Sequence, residues 1–193
     1  LRRQRQMCIR DRAEGELLQL QKARKLNIKE EDYYKIIVSK TAALLSACTA
    51  TGARSVTEDP DIIQQMKDFG ENIGLAFQIR DDLLDYEANG LTGKIRGNDI
   101  KERKITLPLI HALELTSASQ KRHIMSIVKS RRKTKAEINE VIDFVISSGG
   151  PEYAELKMNL FRDKALAILD SYPDTEVKES LKKFVNYTTI RNK

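Results

Sequence analysis

Three aspartates, Asp81, Asp82 and Asp85, fall within five consecutive residues of an apolar-periodic segment that runs from about Pro60 to Tyr86. Residues four apart stack on one face of a helix, so Asp81 and Asp85 share a face with Asp82 beside it, and Gln78 lies on the same arc. Like charges at that spacing oppose helix formation, and so does their place in the helix's C-terminal half, where the macrodipole disfavours anions. Grouped carboxylates without His or Cys nearby suit a hard cation such as Mg²⁺, which takes few protein oxygens and leaves room for phosphate. Taken alone, the cluster reads equally well as a solvated acidic face.

Its surroundings favour the metal reading. Lys94, Lys101, Arg103 and Lys104 follow at once in a glycine-punctuated loop, and Lys40-Thr41 interrupts an otherwise apolar helical pattern. Carboxylates on one side and ammonium groups on the other are what a metal-bridged diphosphate needs. His111, His123 and Cys48 have no nucleophile or ligand partners at useful spacing and read as structural.

The elements that must position these residues are helices. Asp32 is a candidate cap for a segment carrying Tyr33, Ile36, Ile37, Leu44 and Cys48, with Gly52 as its stop. Pro60 opens the next helix, whose pattern includes Ile62, Met66, Phe69, Ile73 and Phe77. After the loop, helices are expected over Leu107–Leu115 and Gln120–Lys129. A capping-box pair, Thr134 and Glu137, precedes another that Gly149 closes. Pro151 and Asp174 open the last two. No alternating strand pattern appears, so the fold class is all-α.

Composition sets outer limits. The chain has 193 residues, 34 Lys+Arg against 28 Asp+Glu, a net charge of +6, 40% hydrophobic residues and two cysteines. This describes a charge-coated helical globule without a disulfide framework. No run of uncharged apolar residues reaches membrane-spanning length, so no transmembrane segment is expected. The two basic tracts, near Arg2–Arg12 and Lys129–Lys135, lack interleaved aromatics, which argues against nucleic-acid stacking. Residues 1–13 look unlike the rest and read as a non-native scar or a disordered basic arm, with one domain over 14–193.

Several ordered motifs together resemble the all-trans polyprenyl diphosphate synthases, the farnesyl, geranylgeranyl and longer-chain enzymes. They are Glu14-Gly15-Glu16, Tyr34 through Lys40-Thr41-Ala42, Gly52-Ala53, Gly74-x-Ala76-Phe77-Gln78-Ile79-x-Asp81-Asp82-x-x-Asp85-Tyr86, Gly93-Lys94-x-x-Gly97-x-Asp99 and Glu102-x-Lys104-x-Thr106-Leu107-Pro108. The resemblance implies an isoprenoid-synthase-type helical bundle lacking its N-terminal helices. It also implies Mg²⁺-dependent head-to-tail condensation of isopentenyl diphosphate with an allylic diphosphate. Asp81, Asp82 and Asp85 match the second aspartate-rich motif, a metal site. Lys40, Lys94 and Lys104 match lysines that hold the leaving diphosphate, while Thr41 and Gln78 match groups lining the carbocation. A cytoplasmic homodimer is the family expectation.

Two departures stand out. Arg103 occupies a position where the family usually has Gly. The first aspartate-rich motif, with the isopentenyl-binding basic residues and the product-length determinants, is absent. The expectation is therefore the C-terminal portion of a synthase, inactive alone, with exposed apolar faces. The alternatives are a non-catalytic synthase-like regulatory subunit and, less well matched, a terpene cyclase.

Overall fold

The computed structural model describes residues 28–87 and 96–190, all helices and connecting turns with no strand among them. Lys94 and the motif Glu14-Gly15-Glu16 lie outside the described residues, as do residues 1–13.

Helix α1 spans Glu30–Arg54 and contains a π-helical turn at Val38–Ala42. It starts earlier than its sequence suggests. Lys29 is the cap, and Asp32 sits at the third helical position, its carboxylate accepting from the Lys29 amide at 3.3 Å. At the other end the helix passes through Gly52 without stopping. Length and composition alone would let α1 cross a membrane. In the fold it lies along α2, Pro60–Leu83, with a polar Ser-Lys-Thr triplet at mid-length.

Helix α2 begins as expected, with Pro60 in its first turn and the Asp59 carboxylate accepting from the Asp61 and Ile62 amides. Two glycines set its distance from α1. A Cβ on Gly74 would fall 2.5 Å from Ala42 Cα, and one on Gly70 would fall 2.6 Å from the Leu45 carbonyl oxygen. The absence of side chains there lets the two backbones meet directly beneath Thr41 and Gln78.

The remaining helices are α3 (Asn98–Lys101), α4 (Leu107–Leu115), α5 (Ala118–Lys129), α6 (Lys135–Ser147), α7 (Gly150–Asp170) and α8 (Glu176–Ile190). Ser117 caps α5, and Thr134 with Glu137 forms the capping box of α6. Helix α4 is buried over most of its length by Leu107, Leu109, Ile110, Ala112 and Leu113. It joins Ile79, Ile100, Ile124, Val128, Val141, Ile142 and Val145 in the larger core. A smaller core of Phe69, Ile73, Ala165, Leu169 and Val185 locks α8 and α7 against α2. The buried Lys178 ammonium ties the start of α8 to the turn after α7: it donates to the Tyr172 carbonyl at 2.7 Å and the Asp174 carboxylate at 2.8 Å. His111 stacks on Tyr153 at 3.8 Å between ring centres, and His123 pairs with Glu140 on the surface.

Candidate active site

The facing surfaces of α1 and α2, closed by the α3 turn, enclose a cavity of about 80 Å³. Its polar lining includes Lys40, Gln78, Asp81, Asp82, Asp99, Lys104 and Tyr33, with Ile36, Ile37 and Ile105 among the walls. Of the residues singled out by sequence, Lys40, Gln78, Asp81, Asp82 and Lys104 meet here. Thr41 lies next to them, and Asp85 stands behind the wall.

The π turn explains how α1 contributes. In an unbroken α-helix, Tyr33 and Thr41, eight residues apart, would be about 80° out of line. A π turn absorbs roughly one residue of that rotation, so both face α2. The Tyr33 hydroxyl donates to Asp82 Oδ2 at 2.7 Å, and the Thr41 hydroxyl donates to Gln78 Oε1 at 2.9 Å. Gln78 Nε2 donates to Asp82 Oδ1 at 3.0 Å, joining the two contacts.

The three aspartates have three different environments. Asp81 is partly exposed at the cavity edge. Asp82 is 6% exposed, and both its oxygens accept hydrogen bonds. Burial pushes its carboxyl up to about 7, against the lowering effect of the Tyr33 hydrogen bond and with Asp99 adding to the rise. Burial likewise holds the Tyr33 phenol well above its ordinary value, so it stays a donor. Asp85, 3% exposed, turns away from the cavity and accepts from the Asn98 amide at 2.9 Å and the Asp99 amide at 3.1 Å. Gly97, at φ 78°, packs under Ile138 and donates its amide to the Asp85 carbonyl at 3.1 Å. Asp85 thus anchors the start of α3, and that brings the Asp99 carboxylate to the cavity.

The end of α3 places Lys104. The Arg103 amide donates to the Ile100 carbonyl at 3.1 Å and the Lys104 amide to the Asp99 carbonyl at 2.8 Å. This pair of bonds defines a Schellman turn, whose first residue beyond the cap takes left-handed backbone angles and is usually Gly. Arg103 holds that position at φ 61°, a backbone conformation that favours Gly. The Lys104 ammonium reaches Glu102 at 2.8 Å and Asp99 at 3.3 Å. Burial pulls its pKa down, but the two carboxylates outweigh that and raise it.

On the far side of the Thr41–Gln78 contact lies an apolar groove of about 440 Å³, lined by Leu44, Leu45, Ile73, Phe77, Phe184 and Tyr187 together with Lys40, Thr41 and Thr188. Lys40 borders both spaces. An anion site and an apolar trough sharing one wall match an amphiphile with a charged head.

The sequence model of the polyprenyl synthetase family matches residues 4–145. The chain belongs to the polyprenyl synthetase family. The octaprenyl diphosphate synthase of Escherichia coli is 35% identical over 170 residues, 88% of this chain and 52% of the relative. The chain thus spans about half the length of the curated relatives it matches. The geranylgeranyl pyrophosphate synthase of Bacteroides thetaiotaomicron superposes with a TM-score of 0.90 at 36% identity, covering 98% of this chain and 63% of that one. A polyprenyl synthase from Caulobacter crescentus, solved with calcium and isoprenyl diphosphate, gives 0.87 at 33% identity, covering 96% and 57%. The chain shares its all-α fold with these synthases.

Two residues of the cavity have weak signals in sequence. Asp99 stands in the Gly97-x-Asp99 motif without an evident role, and Tyr33 reads as a core aromatic. Among the described residues, no three carboxylate, imidazole or thiol groups converge tightly enough to hold a metal ion by themselves.

Proposed function

We propose that this chain is the part of an all-trans polyprenyl diphosphate synthase that holds the allylic diphosphate while its carbon–oxygen bond breaks. One observation carries the reading: the Thr41–Gln78 contact divides a cavity lined by lysines and aspartates from an apolar groove. A prenyl diphosphate laid across it has its phosphates among Lys40 and Lys104 and its hydrocarbon beside Leu44, Phe77 and Tyr187. Lys94, outside the described residues, belongs to the same phosphate set by resemblance.

Asp81 and Asp99 at the cavity edge would hold a hard divalent cation, whose oxygen preference suits carboxylates. Mg²⁺ held there would supply positive charge against the departing diphosphate. The chain's own groups do the rest. As the C–O electron pair leaves with the diphosphate, Lys40 and Lys104 neutralise the growing negative charge. The Thr41 and Gln78 oxygens turn their dipoles toward the allylic cation, and the groove walls keep water from capturing it. The double bond of isopentenyl diphosphate then attacks that cation, and loss of a proton from the adduct restores neutrality at carbon.

By resemblance, the metals of such synthases are held by two carboxylate clusters, and with one of them the 193-residue chain alone is proposed to be inactive. The resemblance adds a cytoplasmic homodimer to the proposal. The test is Mg²⁺-dependent incorporation of labelled isopentenyl diphosphate into linear diphosphates by the full-length protein carrying this sequence. Hydrocarbon products with released diphosphate, or no Mg²⁺ dependence, would contradict it.

A further inference from the structure

Four side chains form one hydrogen-bonded line from the first turns of α1 to its π turn, crossing to α2 and back: Tyr33, Asp82, Gln78 and Thr41. Each link has a direction. The Tyr33 phenol has one proton, given to Asp82 Oδ2. Asp82 Oδ1 takes a proton of the Gln78 amide nitrogen, which leaves the Gln78 carbonyl oxygen facing α1. There it accepts the single proton of the Thr41 hydroxyl.

We infer that Tyr33 is a positioning residue for prenyl transfer: through Asp82 and Gln78 it fixes the Thr41 hydroxyl so that oxygen lone pairs, and no proton, face the prenyl groove. The inference rests on the proposed synthase reading, and it deepens that reading by giving Asp82 a task in this line in place of metal ligation. A hydroxyl free to rotate would at times present its proton to the groove, placing the positive end of the O–H dipole against a developing cation. With the proton held by Gln78, the same oxygen is a fixed negative pole. The arrangement depends on the π turn, which brings Tyr33 and Thr41 to the same side of α1, and on Gly74, which lets α1 and α2 close.

The test uses Tyr33→Phe and Asp82→Asn in the full-length protein. Tyr33→Phe removes only the hydroxyl. Asp82→Asn keeps the shape but replaces an acceptor by a donor, which turns the Gln78 amide round and sends its NH₂ toward Thr41. Both are expected to lower kcat by about 10- to 100-fold, as losses of orienting partners do. KM for the allylic diphosphate and the Mg²⁺ concentration at half-maximal rate should stay within about twofold. The Gln78 side-chain amide resonances, assigned by a Gln78→Glu control, should move in both variants. Unchanged kcat in folded Tyr33→Phe overturns the inference. So does an Asp82→Asn enzyme whose rate returns at high Mg²⁺, because that is the signature of a lost metal ligand. If Tyr33→Phe does not fold, Asp82→Asn decides by the same readings. If the wild type transfers no prenyl group, the synthase reading fails, and the Gln78 resonances still decide whether the line exists: shifted signals support it and unmoved ones overturn it.

Discussion

The two spaces on either side of the Thr41–Gln78 contact are built from the same pair of helices and yet differ in almost every respect. The polar cavity is small and heavily cross-linked: Asp82 is bound on both oxygens, Asp85 secures α3, and a Schellman turn seats Lys104. The apolar groove is larger, and its walls stand open, with Leu44 53%, Phe184 49% and Tyr187 65% exposed. The contrast follows from the ligand each side suits. A diphosphate demands charges at fixed distances, and fixed charges need partners behind them. A hydrocarbon demands only dry surface, which tolerates variation in shape.

The sharpest way to break the polar side is Asp81→Ala in the full-length protein. We expect turnover to fall by about 100-fold or more, the scale set by losing electrostatic stabilisation of a leaving group, with unchanged helical circular dichroism. Near-normal turnover would remove Asp81 from the site. Next in size is Gly74→Ala, whose new methyl meets Ala42 and forces α1 from α2. Overpacking of this kind destabilises by about 1–3 kcal/mol, so the urea midpoint should drop and the Thr41–Gln78 contact loosen with it. An unchanged midpoint would show that the close approach is not needed.

The polar side also shows how far sequence reaches. Helical periodicity, Pro60, and the Thr134–Glu137 pair mark element types and several boundaries, because those signals are local. The grouping of Lys40, Gln78, Asp81, Asp82 and Lys104 around one cavity is also legible, since spacing and motif order point to one site. What spacing hid was the division of labour among the aspartates. Asp85 shares a helical face with Asp81 only if the helix continues, and α2 ends at Leu83, which frees Asp85 to cap α3. The π turn was equally hidden, because Val38–Ala42 has no residue type that demands one. Arg103 read only as a substitution until its left-handed backbone gave the reason.

Acidity offers a subtler probe of the polar side. The folded-state carboxyl of Asp82 lies at about 7, above its ordinary value of 3.8. A raised carboxyl binds its proton more tightly in the folded state, so its stabilising contribution is present below pH 4 and is lost as pH rises through 7. The stability of the metal-free protein relative to Asp82→Asn should therefore fall between pH 5 and pH 8, as read by thermal melts at both. A difference that rises over that window would contradict the burial seen here. The smallest effect belongs to Arg103→Gly. Relief of the left-handed strain is worth about 1 kcal/mol and is partly offset by the greater freedom of Gly in the unfolded chain, so the melt should shift upward only slightly. A clear loss of stability would show that the arginine side chain contributes more than its backbone strain costs.

The comparison of cavity and groove is tested most directly by calorimetry of a non-ionisable allylic thiodiphosphate and of inorganic pyrophosphate binding to the full-length protein. If the account holds, both ligands bind only with Mg²⁺ present, Lys104→Ala weakens both alike, and Phe77→Ser weakens the allylic ligand alone. Equal losses for both ligands in Phe77→Ser, or binding indifferent to Mg²⁺, would contradict the division of the site into a head pocket and a tail groove.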